Sequence, residues 1–289
     1  MIEKLFLSVG AMKAGTTWLQ QQLTSHPKVY FTPEKEIHYF AAPDGESHPM
    51  RIEDRVRRFQ RVVSNITPEN FNPRVKANLI WYTRHYLAMK TSPQWYQRLF
   101  AGREPGQWCA DFSNLYCLLD AEDWKLIRSV AEEIKVVYTL RHPLKRMWSH
   151  AVFHHTFAGS ETDLSAWTVE DFERFFVAGR QDVHGDYATN LERLRSVLEP
   201  DELMLQFFEL VRETPIESLN NVENFLGIEA RRYRHERVSK KVNATPPRPM
   251  PASFLEYARP LHEDQVRRLQ GMGVSVPNSW DSTVADDKS

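Results

Sequence analysis

Long apolar runs, cysteine and net charge are all scarce in this 289-residue chain. No apolar stretch approaches the about 18 residues of a membrane span. The run Leu5–Val9 near the start is too short for a signal-peptide core, so no transmembrane segment is expected and the expected compartment is the cytoplasm. The two cysteines, Cys109 and Cys117, lie outside any CxxC or His-Cys spacing, which removes a disulfide scaffold and a cysteine zinc site and fits reduced thiols. With 37 basic and 38 acidic residues the formal charge is -1, which is not the field of a nucleic-acid or heparin binder. Any polyanion site must therefore be local, and no nucleic-acid partner is expected. There is no internal repeat. What is present is 42% hydrophobic and 12% aromatic residues, enough for a full core. We read one domain over residues 1–270 and a polar tail, 271–289, that should fray.

The chain repeats one grammar. Leu5–Val9 reads as a buried strand ending at Gly10, followed by a tight loop and a helix from Thr16 to Ser25. Lys135–Leu140 is a second such strand, followed by Arg141-His142-Pro143 and a helix to about Phe157, with Pro143 suited to the first helical turn. A third run, Leu203–Phe208, precedes Pro215 and a helix that stops at Gly227. Further helices are expected at 52–64, 93–101, 120–133, 169–180 and 186–198, and a short strand at Val29–Phe31. Strands separated by helices predict a single P-loop-like α/β domain with a central parallel sheet and helices on both faces. The proline-rich stretch Ser239–Pro251 must be an irregular loop.

Gly10-Ala11-Met12-Lys13-Ala14-Gly15-Thr16-Thr17 lies between the first strand and the first helix. Glycines there let backbone N–H groups converge on an anion, and the helix N-terminus adds positive potential. The Gly10 to Gly15 spacing is that of a Walker A loop, but Thr16 stands where its lysine belongs and the lysine is at position 13. A γ-phosphate and magnesium site is therefore not spelled out. Ligands of open parallel sheets bind beyond the carboxyl ends of the strands, where Lys13 and Arg141 both belong, and an arginine there can grip a phosphate with two bonds.

These residues resemble the sulfotransferases that use 3'-phosphoadenosine 5'-phosphosulfate (PAPS), whose 5'-phosphosulfate loop reads Pro-Lys-x-Gly-Thr-Thr followed by an apolar residue; Met12 replaces the proline. The resemblance assigns Lys13, Ala14, Gly15, Thr16, Thr17 and Trp18 to the co-substrate. Leu140–His150 is similar to the family's 3'-phosphate segment, which implies that Arg141 and Ser149 hold that phosphate. Glu34-Lys35-Glu36-Ile37-His38-Tyr39-Phe40 is similar to the Lys-Glu-x-His/Asn-Phe-Phe segment of glycosaminoglycan-type members. It implies that Glu36 is the catalytic base and that Lys35 helps hold the sulfuryl group or acceptor. His38 stays open as the alternative base, because an unperturbed imidazole titrates near neutral pH. Cys109–Tyr116 resembles the Gly-Glu-x-Ser-Pro-x-Tyr stretch on the acceptor side, with Asp111 and Ser113 in place and Cys109 and Asn114 departing from it. Lys241 and Arg248 occupy the place of the nucleotide-closing loop, without its glycines. Weaker traces at Gly185-Asp186-Tyr187, Phe207–Leu210 and Asn224–Gly227 extend the likeness over most of the chain.

The implied activity is transfer of a sulfuryl group from PAPS to a hydroxyl or amine, leaving adenosine 3',5'-bisphosphate and needing no metal. Lys13 would absorb charge on the leaving oxygen. The near-neutral charge favours a small-molecule, sugar or lipid acceptor. The rivals are a phosphate-loop kinase, which Thr16 disfavours, and a silent nucleotide-binding module, which the presence of Glu36 and His38 disfavours. The aromatics from Trp81 to Tyr96 read as core before acceptor wall, His150 and His154 lack the glutamate of a zinc motif, and the arginines from Arg51 to Arg61 read as a solvated face.

Overall fold

The computed structural model describes residues 1–41, 50–88, 90–157, 163–178, 182–240, 242 and 248–281. Five strands, β1 (Ile2–Gly10), β2 (Val29–Phe31), β3 (Trp108–Phe112), β4 (Ala131–Leu140) and β5 (Leu203–Phe207), form one parallel sheet in the order β2-β3-β1-β4-β5. The helices are α1 (Thr16–Leu23), α2 (Ile52–Ser64), α3 (Pro73–Trp81), α4 (Pro93–Leu99), α5 (Ala121–Val130), α6 (Pro143–Phe157), α7 (Val169–Glu173), α8 (Tyr187–Arg195), α9 (Phe208–Glu213), α10 (Pro215–Phe225), α11 (His235–Val238) and α12 (Ala252–Gly271). Single π-helical stretches continue α3 at Tyr82–Tyr86 and α7 at Arg174–Ala178.

Successive β1 side chains point to opposite faces, and both faces are buried. Leu5, Leu7 and Val9 pack with α5 and α8 in the larger core cluster, while Phe6 packs with Trp18, Leu19, Leu23, Leu219 and Val222 of α1 and α10. A third cluster joins Leu144, Met147, Trp148 and Ala151 of α6 to Phe172 and to Phe254 and Ala258 of α12. The expected parallel sheet covered on both faces is thus present. Among the described residues no helix is long and apolar enough to cross a membrane.

Three differences from the sequence reading have physical causes. The helix expected to reach Glu133 ends at Val130, because Ala131 and Glu133 pair with Ile2 and Lys4 and extend β4 backwards. Strand pairing there overrides helical pattern. β3, α3, α9, α11 and α12 were not anticipated; α12 runs through Pro260, which removes one internal N–H and interrupts the helical pattern. The stretch after Gly271 does not fray at first: Val274 and Trp280 are buried, and the Trp280 indole donates to Glu209 Oε2 at 3.1 Å.

Because all five strands run the same way, their C-terminal ends share one edge of the sheet. Gly10, Phe31, Phe112, Leu140 and Phe207 therefore deliver the loops that follow them to a single region.

Candidate active site

β1 feeds directly into the loop that opens α1. Gly10, Lys13 and Gly15 have φ of 135°, 69° and 87°, so the backbone curls through left-handed conformations that turn successive N–H groups inward. Ala11 N–H donates to Thr139 O of the neighbouring β4 at 2.7 Å and anchors the loop, while Ala14 N–H closes a turn onto Ala11 O. Among the described residues the N–H groups of Lys13, Gly15, Thr16 and Thr17 have no backbone partner. These donors and the α1 N-terminus make a cradle for an anion. Gly15 is also sterically required: a Cβ there would stand 2.7 Å from the Phe208 ring.

Arg141 follows β4, the strand beside β1. Its Nη1 donates to the Lys13 carbonyl at 2.9 Å, its guanidinium lies 4.8 Å from the Phe208 ring centroid, and its Nε is buried without a hydrogen-bond partner. Burial pulls its pKa below the usual arginine value, opposed by Glu209 and Tyr187. The Tyr187 hydroxyl fixes the Arg141 backbone by donating to its carbonyl at 2.8 Å. Ser149 lies half-buried on α6, two helical turns further on. The Lys13 ammonium lies over the ring of Phe153, one turn beyond Ser149, at 4.2 Å. Burial, and then the charge of Arg141, lower its pKa.

The segment after β2 turns back toward α1. Lys35 Nζ donates to Thr17 Oγ1 at 2.5 Å, which ties the two loops together, and burial lowers the Lys35 pKa against the pull of Glu36. Glu36 and His38 both have φ of 58°, and the turn they form is held on three sides. Asn114 Nδ2 donates to Glu36 Oε1 at 3.1 Å, Arg58 Nη1 donates to the Glu36 carbonyl at 3.1 Å, and His38 N–H donates to Ser113 Oγ at 3.0 Å. His38 Nε2 stands 3.7 Å from Glu36 Oε2. Burial pushes the Glu36 carboxyl up, but hydrogen bonding and charge from His38, together with Lys35 and Arg58, outweigh it and leave its pKa below the ordinary value. Glu36 is thus held ionised.

Asp111 and Ser113 lie behind this turn. Asp111, 2% exposed, accepts from Ser113 Oγ at 2.7 Å, Tyr116 OH at 2.9 Å and Tyr96 OH at 3.1 Å. Asp111 is placed to brace the His38 turn through Ser113. Trp18 packs in the core beneath the loop and its indole donates to Val238 O at 2.7 Å. The Arg248 carbonyl accepts from the Trp148 indole at 2.8 Å and its side chain is exposed; Lys241 lies outside the described residues.

Several residues of this site were not singled out for it from sequence. Asn114 entered only as a departure from a pattern, yet it holds Glu36. Arg55 and Arg58 are not a solvated face: Arg55 is buried and donates to Tyr86 O and Ala88 O, and Arg58 also pairs with Glu34, which accepts from Tyr82 OH at 2.6 Å. The aromatics from Trp81 to Tyr96 are core. His150 and His154 face each other with ring centroids 4.4 Å apart, and among the described residues no group of three potential ligands could hold a metal.

The model of the Sulfotransferase family matches residues 6–232. The chain belongs to the sulfotransferase family. A crystal structure of a sulfotransferase from Alicyclobacillus acidocaldarius is 20% identical and superposes with a TM-score of 0.66 over 98% of this chain and 100% of that one. The sulfotransferase domain from the curacin biosynthetic pathway is 17% identical, with a TM-score of 0.58 over 96% and 99% of the two chains. At such identities these structures establish the shared fold. No curated protein matches the sequence at a significant level.

Proposed function

We propose that the protein transfers a sulfuryl group from PAPS to the hydroxyl or amine of a small-molecule, sugar or lipid acceptor, with Glu36 as the base. The observation that carries this reading is the joining of a loop of free N–H donors to a half-buried arginine, Arg141, whose buried Nε has no partner among the described residues, beside a carboxylate held ionised. The donor set fits a ligand with phosphate groups at two separate points: the loop from Lys13 to Thr17 for one, Arg141 and Ser149 for the other. PAPS supplies the activated sulfuryl group, and adenosine 3',5'-bisphosphate is what remains.

Within that reading the chain's own residues divide the work. Glu36 takes the proton of the acceptor hydroxyl as the new S–O bond forms and the bond from sulfur to the 5'-phosphate oxygen breaks. Lys13 places positive charge against that leaving oxygen, where burial makes it count for more than it would in water. Lys35, tethered to Thr17, orients the sulfuryl oxygens. Asn114 and Arg58 keep the Glu36 carboxylate aimed. The two buried free thiols, Cys109 and Cys117, accord with a cytoplasmic protein.

The test is an acceptor screen with labelled PAPS, paired with Glu36→Gln. The variant should keep its affinity for adenosine 3',5'-bisphosphate and lose transfer by about two orders of magnitude or more, the scale of general-base catalysis. Thermal stabilisation by that bisphosphate should exceed that by ATP and should not need magnesium. Stabilisation by ATP only with magnesium would point to the kinase reading, and nucleotide binding without any transfer to the silent module.

A further inference from the structure

Beside the Tyr82–Tyr86 stretch and α4 lies an open cavity of about 260 Å³ lined by Arg84, His85, Lys90 and Arg98, with Trp95 in its wall. Among the described residues no acidic side chain lines it. Among the described residues Arg84, Lys90 and Arg98 enter no ion pair. Burial and then the charges of Arg84 and Arg98 lower the His85 pKa, as expected where cations converge without an opposing carboxylate. Trp95 is 3% exposed, and its indole N–H has no hydrogen-bond partner.

Like charges around a concave surface repel one another, and the repulsion is relieved when an anion enters. Two guanidinium groups offer paired N–H donors that match the oxygens of a sulfate or phosphate group, and the lysine adds a third positive centre. The cavity is larger than a single tetrahedral ion, which leaves room for the organic group of an ester. It is separate from the Lys13–Arg141 cradle. The Trp95 ring packs against Tyr39 at 5.7 Å, so a layer of aromatic rings stands between the cavity and the Glu36–His38 turn.

We propose that this cavity is a second oxyanion site, taking a sulfate or phosphate group either as the free ion or as an ester. The inference does not depend on the transfer activity. The probe is inorganic sulfate, titrated calorimetrically into the full chain in low-chloride buffer, with an aryl sulfate in a parallel arm. Sulfate should still bind Lys13→Ala/Arg141→Ala, in which the first cradle is disabled, and adding Arg84→Gln/Arg98→Gln to that variant should weaken the remaining binding about tenfold or more, the loss expected from charge-assisted hydrogen bonds. Arg84 and Arg98 are exposed and unpaired, so the added pair of substitutions should leave the circular dichroism and melting temperature unchanged. Tighter binding of the aryl sulfate identifies an ester ligand, and equal binding the free ion; both support the site. Absence of sulfate binding, binding abolished in Lys13→Ala/Arg141→Ala, or binding to that variant unchanged when Arg84→Gln/Arg98→Gln is added would overturn it.

Discussion

Arg141 Nη1 donates to the backbone carbonyl of Lys13 at 2.9 Å, across 128 residues of sequence. One arm of the guanidinium thus holds the anion loop in shape while the buried Nε stays free for a ligand. A lysine cannot do both, because its ammonium is a point charge without the planar fork. Arg141→Lys should therefore weaken adenosine 3',5'-bisphosphate almost as much as Arg141→Ala, by about ten- to a hundredfold on the scale of charged hydrogen bonds. Adenosine 5'-phosphosulfate, which lacks the 3'-phosphate, should lose less. Calorimetry with both ligands decides, and equal losses for the two would move the 3'-phosphate elsewhere.

His38 and Glu36 can be separated by pH. Burial is the largest influence on Glu36 and pushes its pKa up; the hydrogen bond and charge of His38 are the next, and pull it down. Removing the imidazole leaves burial less opposed, so His38→Ala should raise the Glu36 pKa. The acid limb of the pH-rate profile, below the ordinary carboxylate range in the wild type, should then move to higher pH, with most of the turnover retained well above it. A wild-type limb in the range where imidazoles titrate, with His38→Ala inactive at every pH, would make the histidine the base.

What could be read in advance was whatever is local. Gly10 to Thr17 and Leu140 to Ser149 are each a strand, a turn and a helix in continuous sequence, so their place at the carboxyl edge of a parallel sheet follows from pattern alone. Asn114 and Arg58 reach the Glu36 turn from residues 78 and 22 positions away, and only the sheet order that sets β3 beside β2 brings Asn114 close. Phe153 was legible as helical, but its contact with Lys13 requires β4 to lie next to β1. Arg55 looked like one of a run of exposed arginines because nothing in its spacing announces the carbonyls of Tyr86 and Ala88 that it caps.

Gly15 tests the cradle sterically. Its φ of 87° costs an L-residue about 1–2 kcal/mol, and the added methyl would meet the Phe208 ring on which Arg141 rests. Gly15→Ala should therefore disturb both anion anchors at once. We expect at least tenfold weaker bisphosphate binding by calorimetry, with the far-ultraviolet circular dichroism retained. Undiminished affinity would show that the loop can open without Gly15.

Asp111 carries the remaining prediction, because its carboxylate supports the His38 turn from behind. Asp111→Ala would leave the hydroxyls of Tyr96, Tyr116 and Ser113 without their acceptor in a site closed to water, at about 1–3 kcal/mol for each orphaned group. Some can reorient, so a total of roughly 3–5 kcal/mol in urea denaturation is expected, with Asp111→Asn milder because its amide oxygen can still serve both tyrosines. The sign of the pH effect is fixed as well. Burial holds the Asp111 carboxyl above its usual range, ahead of the opposing hydrogen bonds from Ser113, Tyr116 and Tyr96 and the charge of His38. The folded state therefore binds that proton more tightly than the unfolded chain, and the resulting stabilisation is complete below the usual aspartate range and is lost as pH rises through the elevated value. Asp111→Asn, which cannot ionise, should accordingly compare least favourably with the wild type at acid pH and better toward neutrality. Turnover gives the second readout: Ser113→Ala removes the acceptor of the His38 N–H, so it and Asp111→Asn should lower kcat through the same turn and combine less than additively. Fully additive losses would show that Asp111 supports the core alone and has no part in placing Glu36 and His38.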